Sequence, residues 1–168
     1  SLQVAVISTL LIMLIGVTTG AMAGYYRGWA DTIVSRLTEI TMAFPALLFA
    51  IALASTAGTQ LNGITFGGLV GEGVVTLVLV FTVFGWFYPG RIIRAKVLSL
   101  REKEFVEAAL MTGASDARII RSHLLPHLIA PIIVYATLIV AALLLNEAAL
   151  SFLGVGIQQP TASWGNML

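Results

Sequence analysis

No cysteine occurs in the 168 residues, which excludes a disulfide framework, a Cys-ligated zinc site and a thiol nucleophile. Charge is nearly as scarce. Nine Lys and Arg and eight Asp and Glu make up 10% of the chain, where a soluble domain carries about 25%. A net charge of +1 argues against general nucleic-acid binding by the whole chain. Sustained polar–apolar alternation is missing too, so helices are favoured over a transmembrane barrel. The phosphate-cradling pattern G-x-x-x-x-G-K-[ST] is absent, so the chain is not itself an ATPase. Intramembrane hydrolysis lacks its paired aspartates, because Asp31 and Asp116 fall in polar connections. The opening "SLQVAVIS" has neither an initiator methionine nor a basic region, so it does not read as a signal peptide. A fragment of a longer membrane subunit, incomplete at both ends, is expected.

Apolar sequence fills the space that these absences leave. Hydrophobic residues are 58% of the chain and its mean hydropathy is +0.98. The expected class is an all-α membrane protein. Four segments, at about 2–24, 33–57, 74–90 and 128–150, approach the roughly 20 apolar residues that cross a bilayer. Arg27 and Arg36 flank the connection between the first two. Arg91, Arg94, Lys96, Arg101, Lys103, Arg118 and Arg121 lie between the last two, while 58–73 and 151–168 carry no Lys or Arg. Cytoplasmic connections carry the excess of Lys and Arg, so 25–32 and 91–127 are expected inside and 58–73 and 151–168 outside. Gly16, Gly20 and Gly24 on the first span, and Ala46, Ala50 and Ala54 on the second, form small-residue stripes suited to close helix packing. Pro45 has no N–H for the carbonyl of Thr41, so a kink is expected there, a candidate hinge.

The stretch 104–127, "EFVEAALMTGASDARIIRSHLLPH", stands out by its polarity. Apolar residues at helical spacing (Val97, Leu98, Leu100, Phe105, Ala108, Ala109) predict a helix that ends at Gly113. Ser115 is placed to cap a second helix with Asp116 in its first turn. Ile119, Ile120 and Leu124 give that helix an apolar patch, and Pro126 marks its end or a kink into the last span. A helix–glycine turn–helix at the membrane surface suits docking into a groove on a soluble partner. The competing reading lays it on anionic headgroups, but Glu102, Glu104, Glu107 and Asp116 dilute its bases.

The residues "EAALMTGASDARIIRSHLLP" (107–126) resemble the cytoplasmic EAA motif of permease subunits of binding-protein-dependent ABC importers. Glu107, Ala108, Ala109, Gly113, Leu125 and Pro126 occupy the motif's positions. His123 departs from the general pattern but is similar to the peptide/nickel subfamily. "AGYYRGWAD", "MAFPALL", "VLSLREKEFVEAA" and "ALSFLGVGIQQPTASWGNML" also resemble that subfamily, so the likeness covers nearly the whole chain. It implies a type I importer transmembrane domain in an inner membrane, its 91–127 loop carrying a coupling helix, with Ser115 counted among the coupling residues. The implied partners are a second permease subunit, two cytoplasmic ATPase subunits that hold ATP and Mg, and an extracytoplasmic substrate-binding protein, besides membrane lipid. No cofactor, metal or catalytic group is expected on this chain.

Several polar residues remain. His123 and His127 have the spacing of a zinc pair, but Pro126 interrupts them and no H-E-x-x-H accompanies them, so contact histidines are the expectation. Asn146 and Glu147, near the outer end of the last span, are candidates for the translocation path or for a hydrogen bond to the following loop. An ungated channel is the rival function, and it leaves the elaborate polar segment unexplained.

Overall fold

The computed structural model describes residues 1–45, 48–49, 51–53, 55–56, 73–154, 156–157, 163–165 and 167. Its helices are α1 (Leu2–Tyr26), α2 (Gly28–Ala43), α3 (Val74–Gly85), α4 (Phe87–Arg101), α5 (Glu104–Met111), α6 (Asp116–Arg118) and α7 (Leu125–Phe152). A π-helical segment, Ile119–Leu124, joins α6 to α7. No strand occurs among the described residues. Leu, Ile, Val and Ala carry α1 and α7, where a bilayer offers no water to an unpaired backbone and the helix satisfies its own N–H and C=O groups. Two threonines of α1 are satisfied within their own helix: Thr18 and Thr19 each donate to the carbonyl four residues back, at 2.7 Å.

Three helical runs among the described residues are long and apolar enough to cross a membrane: 2–26, 74–101 and 116–152. These helix ends differ from the expected span ends. The helix holding the third span does not stop at 90, since α3 and α4 meet at a single turn residue, Trp86, and the run continues to Arg101. Arg91, Arg94 and Lys96 therefore sit on a helix, because Lys and Arg are good helix formers. The helical run holding the fourth span begins at 116, well before 128. Of the expected second span, α2 covers 33–43 and stops ahead of Phe44 and Pro45, and a new helical turn starts with Phe49 donating to the Pro45 carbonyl at 3.2 Å. The Ala46, Ala50 and Ala54 stripe lies outside the described residues.

The chain divides into two compact units: residues 1–12, 42–85 and 136–168 in one, and 13–41 and 86–135 in the other. The first has a core of Val4, Ile12, Leu77, Val78, Phe81, Leu143, Leu150 and Ile157. The second buries Ala21, Tyr25, Ile93, Val97, Val106, Ala109, Ile119, Leu124 and Leu128.

Within the second unit the glycine stripe of α1 has a defined partner. A Cβ added at Gly16 would lie 2.8 Å from the Trp86 carbonyl oxygen, one at Gly20 would strike the Gly90 carbonyl, and one at Gly24 would lie 2.8 Å from the Arg94 carbonyl. These approaches leave no room for a methyl group. As the contacts advance from 16 to 24 on α1 they advance from 86 to 94 on α4, so the two helices run parallel.

Candidate docking site

Helix α5 is amphipathic. Val106 and Ala109 are buried in the second core, while Glu104, Glu107, Ala108, Leu110 and Met111 are exposed. Met111 is 92% exposed, on the same short helix as the two exposed carboxylates. Its helix ends in a left-handed glycine: Gly113 has φ of 79°, its N–H bonds the Leu110 carbonyl at 3.0 Å, and the Ala114 N–H bonds the Ala109 carbonyl at 3.0 Å. That pair of bonds is the Schellman arrangement, which satisfies carbonyls the helix would otherwise leave open. Ala109 lies under this turn and Ala108 keeps the outer face low.

The remaining expected residues fall as follows. Ser115 has the extended backbone of an N-cap, but its side chain makes no capping hydrogen bond, so that expectation is corrected. Asp116, in the first turn, instead accepts a hydrogen bond from the Tyr25 hydroxyl at 2.8 Å. The apolar patch also faces inward: Ile119 and Leu124 are fully buried in the chain's own core. Helical periodicity identifies an apolar face without saying what covers it. Leu125 is half-buried and Pro126 exposed. Pro126 does not end the helix, because the Leu125 N–H reaches back five residues to the Ile120 carbonyl, a π turn just ahead of a residue that has no N–H to give. His127 packs its ring on Phe105 with centroids 5.1 Å apart, and His123 is half-buried.

Charged contacts surround α5, and sequence inspection missed them. Arg101 donates to the Tyr25 carbonyl and lies over its ring. Arg27 pairs with Glu102. Asp31 accepts two hydrogen bonds from Arg94, and this holds its carboxyl below the ordinary value. The glycine spacing of α1 signalled close packing without naming α4 as its partner.

Asn146 is exposed, its side chain donating to the Ala142 carbonyl at 2.9 Å. Glu147 is fully buried in the first unit. Ser151 donates to its Oε1 at 2.7 Å and in turn accepts from the Ile157 N–H at 3.2 Å. Glu147 Oε2 has no protein hydrogen-bond partner among the described residues.

Helices of spanning length, together with a short polar helix presenting carboxylates and an exposed methionine, define a multi-pass membrane protein. The family described as "Binding-protein-dependent transport system inner membrane component" matches residues 16–168, and the chain belongs to it. Among curated proteins it is 41% identical over its full length to the dipeptide transport system permease protein DppC of Alkalihalophilus pseudofirmus, covering 51% of that protein. It is 36% identical to the oligopeptide permease OppC of Haemophilus influenzae, covering 50%. Against the glutathione permease GsiD of Pectobacterium atrosepticum it is 34% identical and covers 52%. The chain thus spans about half the length of the curated relatives it matches.

Proposed function

We propose that the chain is the translocating part of a permease subunit in an ATP-driven importer of peptides, with α5 as the helix that docks into a cytoplasmic ATPase subunit. The observation that carries this reading is the outer face of α5, where Glu104, Glu107, Leu110 and Met111 stand exposed on a helix with a fixed glycine stop. Such a face fits an apolar pocket rimmed by cations. The full assembly in this reading has a second permease subunit, two ATPase subunits that bind ATP and Mg, and an external binding protein, in a prokaryotic inner membrane. In this reading residues 25–32 and 91–127 face the cytoplasm, and 58–73 and 151–168 face outward; the Lys and Arg bias supports it. The dipeptide, oligopeptide and glutathione permeases among its relatives favour peptides over a nickel chelate as cargo.

Pro45, at the break after α2, serves in this reading as a hinge. Asn146, being exposed, remains a candidate for the translocation path, whereas the geometry of Glu147 favours an anchor for the following segment. Orientation is tested with single cysteines at Ser99 and Trp164, both exposed. Ser163 is unsuitable because it is only 2% exposed. Labelling of both from the same side would refute the topology. Docking is tested with Met111→Glu in the full-length subunit: ATPase co-purification should fall about tenfold or more, as for a central apolar anchor. Retained ATPase, with binding to anionic vesicles lost instead, would favour the membrane-surface reading.

A further inference from the structure

Helix α5 is held on both flanks by one residue of α1. Ahead of it, the Arg101 guanidinium donates to the Tyr25 carbonyl and lies over the Tyr25 ring, with Cζ 5.3 Å from the centroid. Behind it, the buried Tyr25 hydroxyl donates to Asp116 Oδ1 at 2.8 Å. These bonds join residues 76 and 91 positions apart. Arg27, two residues on, pairs with Glu102 on the leading flank.

A load on the outer face of α5 must leave through its flanks. The helix has only eight residues and is bounded by an extended Lys103 and a left-handed Gly113. Apolar contacts of Val106, Ala109, Ile119 and Leu124 also hold it, but such contacts are non-directional. A hydrogen bond to a carboxylate is directional and stronger than one between neutral groups. Both flanks close on the same side chain and carbonyl, so displacement of α5 in either direction pulls on the last turn of α1.

We propose that Tyr25 is a positioning residue of the transport cycle, a two-ended clamp that passes displacement of the docked α5 into α1. The inference rests on the docking reading above and adds the route by which movement enters the membrane helices.

The test uses the full-length subunit, freed of any other cysteine and assembled with its ATPase partners in vesicles. Met22→Cys supplies a reporter at an exposed position of α1. Its maleimide labelling rate is compared between nucleotide-free and vanadate-trapped states. With Tyr25 intact the rate should change on trapping. Tyr25→Phe keeps the ring and loses the hydroxyl, and should shrink that change about fivefold or more, the scale of one lost hydrogen bond to a charged group. ATPase co-purification and basal hydrolysis should stay at the parental level. Asp116→Asn keeps an oxygen acceptor and should retain most of the response; Asp116→Ala should match Tyr25→Phe, and combining the two should add nothing. A full response in Tyr25→Phe, or a parental rate blind to nucleotide, would overturn the inference. So would release of the ATPase by Tyr25→Phe, which would leave the docking reading standing. Failure of the parental subunit to retain ATPase would refute the docking reading and this inference with it.

Discussion

Asp31 and Arg94 meet through two parallel hydrogen bonds, from Nε to Oδ1 and from a terminal guanidinium nitrogen to Oδ2 at 2.8 Å, which fasten the first turn of α2 to α4. The guanidinium holds the Asp31 carboxyl below its ordinary 3.8. A depressed carboxyl contributes stability that is complete above the unfolded value and is lost as pH falls through the folded one. Asp31→Asn should therefore cost about 1–3 kcal/mol at neutral pH. In detergent, the gap in thermal midpoint between variant and parent should narrow as the pH drops below 3.8. Arg94→Lys should lose most of the contact, since an ammonium cannot reproduce the fork. A gap that is independent of pH would remove the ion pair as its cause.

Gly20→Ala should destabilise the protein by about 1–3 kcal/mol, the cost of overpacking a closed contact, because the new methyl group meets the Gly90 carbonyl and lies 3.1 Å from Ile93 Cβ. Gly20→Leu should prevent accumulation of folded protein. Thermal unfolding in detergent measures the first and membrane yield the second. Wild-type stability in Gly20→Ala would mean that α1 and α4 do not approach this closely.

Gly113→Ala forces a side chain into a left-handed conformation, at about 1–2 kcal/mol, in a turn where space itself is open. Its effect should centre on the turn, with faster amide exchange over Ala109–Ala114 and weaker ATPase retention, and the global midpoint should fall by a few degrees. Gly113→Asn should be milder, since Asn tolerates this conformation. Equal exchange in all three proteins would show that the turn does not depend on its glycine.

Glu147→Ala should cost about 2–4 kcal/mol, by opening a cavity and removing the acceptor of the Ser151 hydroxyl. Ser151→Ala, which removes an acceptor of the Ile157 N–H, should cost about 1–3 kcal/mol. Glu147→Gln keeps an acceptor for Ser151 and should fold well. Peptide uptake by Glu147→Gln then separates the roles: normal kinetics fit an anchor, and altered kinetics place the carboxyl on the path.

The apolar helices and the glycine end of α5 were legible because both signals are local: unbroken hydrophobic runs, and a glycine placed after Glu-Ala-Ala. The expected single helix from Val97 to Gly113 is corrected, since extended Lys103 separates α4 from α5 where the apolar spacing alone shows no break. The ends of the spans were not legible. Arg91 and Lys96 mark where a membrane can end, but a helix carrying Arg, Ile and Leu continues past that level. The inward burial of Ile119 and Leu124 was equally hidden, since their partners Ile93, Val97 and Val106 lie on other helices. No local pattern foretells that Tyr25 joins Arg101 and Asp116, because tyrosine at a helix end is common and the chain separations are long. Ser115 read as a capping side chain from its residue type and position, and it makes no capping hydrogen bond.

The parallel course of α1 and α4 has a consequence for folding. Neighbours that run in the same sense cannot be joined by a tight turn, so their seam is made by residues far apart in the chain: Gly16, Gly20 and Gly24 meet the carbonyls of Trp86, Gly90 and Arg94. Such a contact closes only after the conformational freedom of the chain between its partners has been lost. The glycine seam therefore forms later than the turns within either helix.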